Sequence, residues 1–283
     1  MSSTIEPLSS TAGRLAAVDV LELLRVPRKG VVFDLGMPVV QSMPQGDPTE
    51  VMGFRLAQTL TPRKAGERDG FEVSVEAVVG CLHTSSHIDA LCHVLADGKL
   101  YGDIDGEEAR RDTGWTVHGA ETLPPIVARA LLIDIAGSRG VPCVDDDVEI
   151  TMGEIEGELV AHDQQVHVGD AILIRTGKIS KFGSGGTAYG KRAPGLTVEA
   201  GVELYDRGMA VLGSDTPGTE RLPFRDPGRT LHRALLAERG TALIENLNLE
   251  DTHSAGVTEG LFICLAPKIV GATGSWVRPV LLT

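Results

Sequence analysis

His83-Thr84-Ser85-Ser86-His87-Ile88-Asp89-Ala90-Leu91-Cys92-His93 brings together three of the chain's 8 histidines and one carboxylate. Imidazole and carboxylate are the ligands preferred by Zn²⁺ and Mn²⁺. Scattered structural histidines do not cluster in this way, so the run reads as a metal site. All four positions are odd-numbered, and a strand would place them on one face. A straight strand fails nonetheless, because it would set His83 and His87 roughly 13 Å apart, whereas a metal draws each ligand to about 2 Å. A straight helix brings His83 to His87 but turns Asp89 to the far side. The segment therefore has to bend, and Ser85-Ser86 is the place for it.

The preceding stretch, Phe71-Glu72-Val73-Ser74-Val75-Glu76-Ala77-Val78-Val79, alternates and predicts a half-buried strand ending at Gly80. A ligand loop after a strand holds a site on a rigid scaffold. Far downstream, Leu243-Ile244-Glu245-Asn246-Leu247 places a carboxylate inside an apolar strand. Such a group is costly to bury unless it is paired or bound to metal, which marks Glu245 as functional. Asp215 is a similar carboxylate at a strand end and reads as a supporting residue.

The run resembles the H-x-G-T-H-x-D-x-P-x-H signature of the cyclase family of metal-dependent hydrolases. All four ligand-type positions match; Ser85, Ser86 and Leu91 stand where that signature has Gly, Thr and Pro. Of these, Ser85 matters most, because glycine adopts positive φ freely and serine only with strain. Other segments look like the family's too: the opening strand Val32 to Pro38, the central strands Gly169 to Gly177 and Val211 to Thr216, the late His232, the late Glu245 and the C-terminal strand Gly274 to Pro279. The likeness runs from about residue 30 to residue 283.

The resemblance implies a ligand set and a chemistry. His83, His87 and Asp89 would hold a first Zn²⁺ or Mn²⁺. His93 has two roles open to it. With one ion it is the proton shuttle to the leaving group. With two it binds the second ion together with His232, and Asp89 and Glu245 are shared. Metal-activated hydroxide would attack a carbonyl carbon while the metal polarises the oxygen. His93 and Glu245 are thus the expected catalytic residues. The expected reaction is cleavage of a C–N bond in a small non-peptide amide or cyclic amide, arylformamidase-like. Hydrolysis of a lactone or other cyclic ester, and metal binding without turnover, remain as alternatives. The resemblance also implies a homo-oligomer.

Composition sets bounds that agree. The 283 residues are 42% apolar with few aromatics, enough for a substantial core in one or two domains. No repeat or linker divides them, so the expectation is a mobile tail over residues 1–12 and a single hydrolase domain over 13–283. A net charge of −13 argues against nucleic acid or anionic membrane as partner and leaves a small-molecule substrate. No apolar run approaches the ~18–20 residues of a membrane span, and the N-terminal segment lacks signal-peptide regions. The expected location is cytoplasmic, with Cys81, Cys92, Cys143 and Cys264 as free thiols.

The order of elements reads as α/β: a helix over Leu15 to Leu24, strands over Gly30 to Leu35, Ala171 to Ile174, Ala210 to Gly213 and Ala242 to Leu247, and helices from Thr151 to about His162, Thr197 to Arg207 and Thr230 to Arg239. The Thr151/Glu154 spacing is a capping box, and Gly208 and Gly240 are helix stops. Strands alternating with short helices give a mixed sheet under helical cover. The family's fold adds that the β core is barrel-like, of the swivelling β/β/α type.

Two other motifs fail. Gly185 to Arg192 approaches a phosphate-binding loop, but Arg192 stands where a Mg²⁺-binding hydroxyl is needed. The glycine-rich residues 183–195 instead predict a flexible surface loop, or a lid. His83 to His87 has the outline of a zincin helix without its glutamate. His118, His162, His167 and His253 read as solvated or structural. Trp115, Trp276, Phe182 and Tyr189 are the aromatic candidates for lining a substrate pocket.

Overall fold

Ile126 to Asp134, mostly small and aliphatic, forms the longest strand among the described residues and an inner strand of the sheet. The computed structural model describes residues 9–44, 53–58, 75–184 and 186–283. Nine strands make one mixed half-barrel sheet: β1 (Val32–Asp34), β2 (His87–Asp89), β3 (Ile126–Asp134), β4 (Ala171–Arg175), β5 (Val211–Ser214), β6 (Ala242–Glu245), β7 (Glu259–Cys264), β8 (Gly274–Trp276) and β9 (Val280–Leu282). Their order across the sheet is β1-β9-β7-β3-β4-β5-β6-β2-β8. The central four, β3 to β6, are parallel, and every other pairing is antiparallel.

The parallel strands are covered on both faces, which is why they read as continuous apolar runs. Alternate residues separate into two cores. Ala128, Ala130, Leu173, Val211 and Ile244 point to one side, where Leu35, Ile88, Phe262 and Leu281 meet them. Leu131, Ile133, Ile172, Leu212 and Leu243 point to the other. There they meet Ile155 and Leu159 of α1 (Met152–Ala161), Ala200 and Leu204 of α2 (Val198–Asp206), and Leu231, Leu235 and Leu236 of the helical residues 231–239.

Local signals set the helix ends. Thr151 and Glu154 form the expected capping box. Thr197 Oγ1 accepts from Ala200 N at the start of α2. Gly208 and Gly240 take φ of +114° and +65°, the left-handed conformation that ends a helix at little cost to glycine. The centre of residues 231–239, Arg233–Ala237, is a π-helix, an irregularity that recurs at functional sites.

Several expectations are corrected. The helix over Leu15 to Leu24 is two short ones, Thr11–Ala16 and Val20–Leu23, because Asp19 caps a new start by accepting from Leu21 N. The tail over residues 1–12 ends sooner, since Ser10 and Thr11 are buried and Thr11 Oγ1 donates to Ala210 O at 2.6 Å; residues 1–8 lie outside the described residues. Of the strand over Phe71 to Val79, the first four residues also lie outside them. Glu76–Val79 pairs with Arg55–Gln58 as a separate two-stranded ribbon and is exposed along its length rather than half-buried. Within the glycine-rich stretch, Tyr189 is buried and donates to Asn246 Oδ1 at 3.0 Å, which anchors the chain at that point; residue 185 lies outside the described residues.

Candidate metal centre

β2 carries His87 and Asp89 on one side and Ile88 on the other, into the core. It lies between β6 and β8, in a register that sets Glu245 directly across from His87. Glu245 is the last residue of β6, so the site sits at the carboxyl end of the parallel strands, where open α/β sheets place their ligands. Before β2 the chain bends through residues 82–86, and Ser85 takes a φ of +54°. The serine hydroxyl donates to Met37 O at 3.0 Å, which offsets part of the cost of a left-handed non-glycine residue. Ser86 Oγ donates to Asn246 O at 2.7 Å and accepts from Met37 N at 2.8 Å, so this bend is fastened to two neighbouring segments.

All six expected ligands converge. His83 Nδ1 is 2.8 Å and His87 Nε2 3.6 Å from Asp89 Oδ1. His232 Nε2 is 3.4 Å from Asp89 Oδ2 and 3.2 Å from Glu245 Oε1, while Glu245 Oε2 is 3.4 Å from His87 Nε2. His93 stacks on His83 with ring centroids 4.0 Å apart and meets His232 edge-on at 6.2 Å. Two ligand groups result, His83-His87-Asp89 and Asp89-His93-His232, with Asp89 common to both.

Backbone and carboxylate partners aim the imidazoles. His87 Nδ1 donates to Ser85 O at 3.0 Å, which assigns the proton to Nδ1 and leaves the Nε2 lone pair facing Asp89 and Glu245. That same carbonyl accepts from Asn246 Nδ2 at 3.0 Å. His83 Nε2 bonds Thr273 Oγ1 at 2.9 Å, and His232 Nδ1 bonds Glu220 Oε1 at 2.7 Å. Thr273 and Glu220 are absent from the ligand pattern read in the sequence, because nothing local marks them.

The electrostatics call for a cation. Asp89 and Glu245 are 1% and 3% exposed, so two carboxylates are held away from water within one cluster. Asp89 Oδ2 is buried and makes no hydrogen bond. Burial alone would raise the Asp89 carboxyl, but His93, the nearby His232 and the bond from His83 outweigh it and hold it well below the usual carboxylate range. Burial lowers His232 too, yet Asp89, Glu220 and Glu245 together raise it well above an ordinary histidine. His93 moves the other way, to about 4, through burial and the adjacent His83 and His232. An orphaned carboxylate oxygen among imidazole nitrogens and a second carboxylate is a donor set that fits Zn²⁺ or Mn²⁺.

The remaining candidates sort themselves. Asp215 lies outside the cluster and accepts from Thr176 N, Thr176 Oγ1 and Gly177 N, a clamp on the turn after β4. Trp276, Phe182 and Tyr189 share one apolar cluster with Met43, Phe54 and Ile179. Trp276 is also the cross-strand neighbour of His87. An open groove of about 610 Å³ runs past it, bordered by Met37, Val39 and Arg278. Trp115 is not part of this wall; it packs with Ala109 and Ala120 in a separate cluster. His118, His162, His167 and His253 bond to Tyr101 O, Glu158, Arg129 and Asp134, in keeping with structural roles.

Known proteins share this architecture. The chain is 25% identical over 214 residues to the kynurenine formamidase of Delftia acidovorans, covering 75% of this chain and 81% of that one. A crystal structure of a novel cyclase superposes with a TM-score of 0.86 at 21% identity, over 98% of this chain and 97% of the other. Isatin hydrolase A from Ralstonia solanacearum superposes with a TM-score of 0.69 at 21% identity over the whole of both chains. The Cyclase family model matches residues 33–221, the span from β1 through Glu220 that carries the ligand loop, and the chain belongs to that family.

Proposed function

We propose that the protein is a metal-dependent hydrolase that cleaves the C–N bond of a small non-peptide amide or cyclic amide. The observation that carries this reading is the buried Asp89 carboxylate, whose Oδ2 makes no hydrogen bond among the described residues and lies 3.4 Å from His232 Nε2, in a cluster with His83, His87, His93 and Glu245. His83, His87 and Asp89 would hold one ion, and Asp89, His93 and His232 a second, with Glu245 reaching both. A divalent ion there supplies a water of lowered pKa and positive charge for a carbonyl oxygen. Glu245 would take a proton from the attacking water. Trp276, the cross-strand neighbour of His87, would present an apolar wall to a substrate, and Met37 and Val39 continue that wall along the groove.

A second reading keeps one ion and makes His93 the acid/base. Its support is that, among the described residues, the His93 ring makes no side-chain hydrogen bond, and it is neutral at pH 7. A homo-oligomer belongs to the same proposal. The ribbon of Arg55–Gln58 and Glu76–Val79 exposes Leu56, Val78 and Val79, and an isolated two-stranded ribbon is marginal alone.

Elemental analysis of purified protein is expected to find Zn²⁺ or Mn²⁺, and chelation to abolish hydrolysis across a panel of formamides, cyclic amides and lactones. Full activity in metal-free protein overturns the reading, and turnover of lactones alone would move it to the ester alternative. His232 yields a further test. Its pKa is raised, so at pH 7 the stripped protein carries a proton on Nε2 that must leave when a metal binds there. Zn²⁺ titration in buffers of different ionisation enthalpy is expected to register that release. Affinity should then rise with pH, by about tenfold per unit for one proton. A pH-independent affinity between pH 6 and 8 would exclude His232 as a ligand.

A further inference from the structure

Two consecutive residues outside the ligand set address the same half of the site. Glu220 Oε1 bonds His232 Nδ1 at 2.7 Å and accepts from His232 N at 3.0 Å, while its Oε2 accepts from Leu231 N at 2.7 Å. Thr219 Oγ1 donates to Glu245 Oε1 at 3.2 Å and accepts from Ser214 Oγ at 3.2 Å. Neighbouring side chains on an extended chain point to opposite sides. Here they converge because Thr219 takes a φ of +48°. A β-branched residue at positive φ is an outlier that persists only where its surroundings impose it. Its surroundings do so: Thr219 is fully buried, Leu196 N donates to Thr219 O at 3.0 Å, and Glu220 forms a parallel bridge with Leu196.

The geometry points to Thr219-Glu220 as a positioning pair that builds the half of the metal centre around His232 and Glu245. Glu220 holds the Nδ1 side of His232, so that Nε2 is presented to Asp89 and Glu245. Thr219 holds Glu245 Oε1 3.2 Å from that nitrogen. The first ligand group has its own supports, Ser85 O for His87 and Thr273 for His83, and does not touch the pair. This assignment rests on the two-ion form of the proposed function. It is specific in what it forecasts: loss of one ion's site and not the other's.

The test uses the full chain, stripped of metal and titrated calorimetrically with Zn²⁺, as wild type, Glu220→Gln and Thr219→Val. Wild type should take up two ions. Glu220→Gln should bind the first as wild type does and the second about 10–100-fold more weakly, the usual effect of removing a partner behind a ligand. Thr219→Val keeps the shape and leaves the Glu220 contacts with Leu231 and His232 in place, so it guards against a folding defect; it should weaken the second ion in the same direction. The ¹⁵N signals of His232 in the Zn²⁺-loaded protein are read alongside. At a Zn²⁺ concentration that fills both sites of wild type, a metal-bound Nε2 with a protonated Nδ1 is expected in wild type and a largely metal-free His232 in Glu220→Gln. Unchanged second-ion affinity with an unchanged His232 spectrum overturns the assignment and leaves the two-ion reading standing. A wild-type titration that stops at one ion refutes the two-ion reading instead, and the His232 spectrum of Glu220→Gln then decides the role of Glu220 alone.

Discussion

Asp89→Ala is expected to empty the site and to lower hydrolysis by at least about 10³-fold, the equivalent of several kcal/mol of transition-state stabilisation. Asp89 is common to both ligand groups. Its Oδ1 lies toward His83 and His87, and its Oδ2, which makes no hydrogen bond among the described residues, lies 3.4 Å from His232 Nε2. Alanine at this position leaves water in place of a charged bridging oxygen. Asp89→Asn is expected to fail as well, although it keeps the volume, because an amide supplies neither the charge nor a second acceptor. His87→Ala should lose metal and rate together for the same reason. Elemental analysis and a rate measurement on each variant check this. Wild-type metal content in Asp89→Ala would mean that the ligands lie elsewhere.

His93→Ala is expected to cost about 10²–10⁴-fold in rate, the usual worth of an acid/base group. Its metal content separates the two versions of the site. With two ions, both His93→Ala and His232→Ala fall from two per chain toward one. With a single ion, His93→Ala keeps its metal and loses only the rate. The stacking of His93 on His83 makes this substitution mild for the fold, since the ring is only partly buried and caps a surface of the cluster. Full activity with full metal content in His93→Ala would remove His93 from the site altogether.

How much of this was legible in the sequence depended on distance along the chain. The candidate metal loop could be read because four ligand-type residues lie within eleven residues and because strand and helix geometry each failed for that spacing. The bend at Ser85 followed from the same argument, and the structure places it there. Glu245 could be read because a carboxylate amid Leu243, Ile244 and Leu247 has no bland explanation once it is buried. Strands β4, β5 and β6 were visible as apolar runs, and α1 and α2 through their caps. In contrast, β3 was not read from the sequence although Pro124-Pro125 stand just before it, because Arg129 interrupts its apolar run; it is an inner strand of the sheet. Glu220, Thr219 and Thr273 were silent because their partners are set by tertiary register: Glu245 faces His87 only through the β2–β6 pairing. The exposed ribbon at residues 76–79 misled because alternation signals burial only when there is a core to receive it.

The position of β2 has a bearing on how the protein is made. This three-residue strand is flanked by β6 and β8, whose residues are synthesised more than 150 positions later. Loop closure over such separations is slow. A nascent chain therefore displays its cluster of three histidines and an aspartate long before Glu245 and His232 exist to complete the cage. An ion held at that stage by His83, His87 and Asp89 would lack the Glu245 carboxylate and the His232 imidazole that join the cluster in the folded chain.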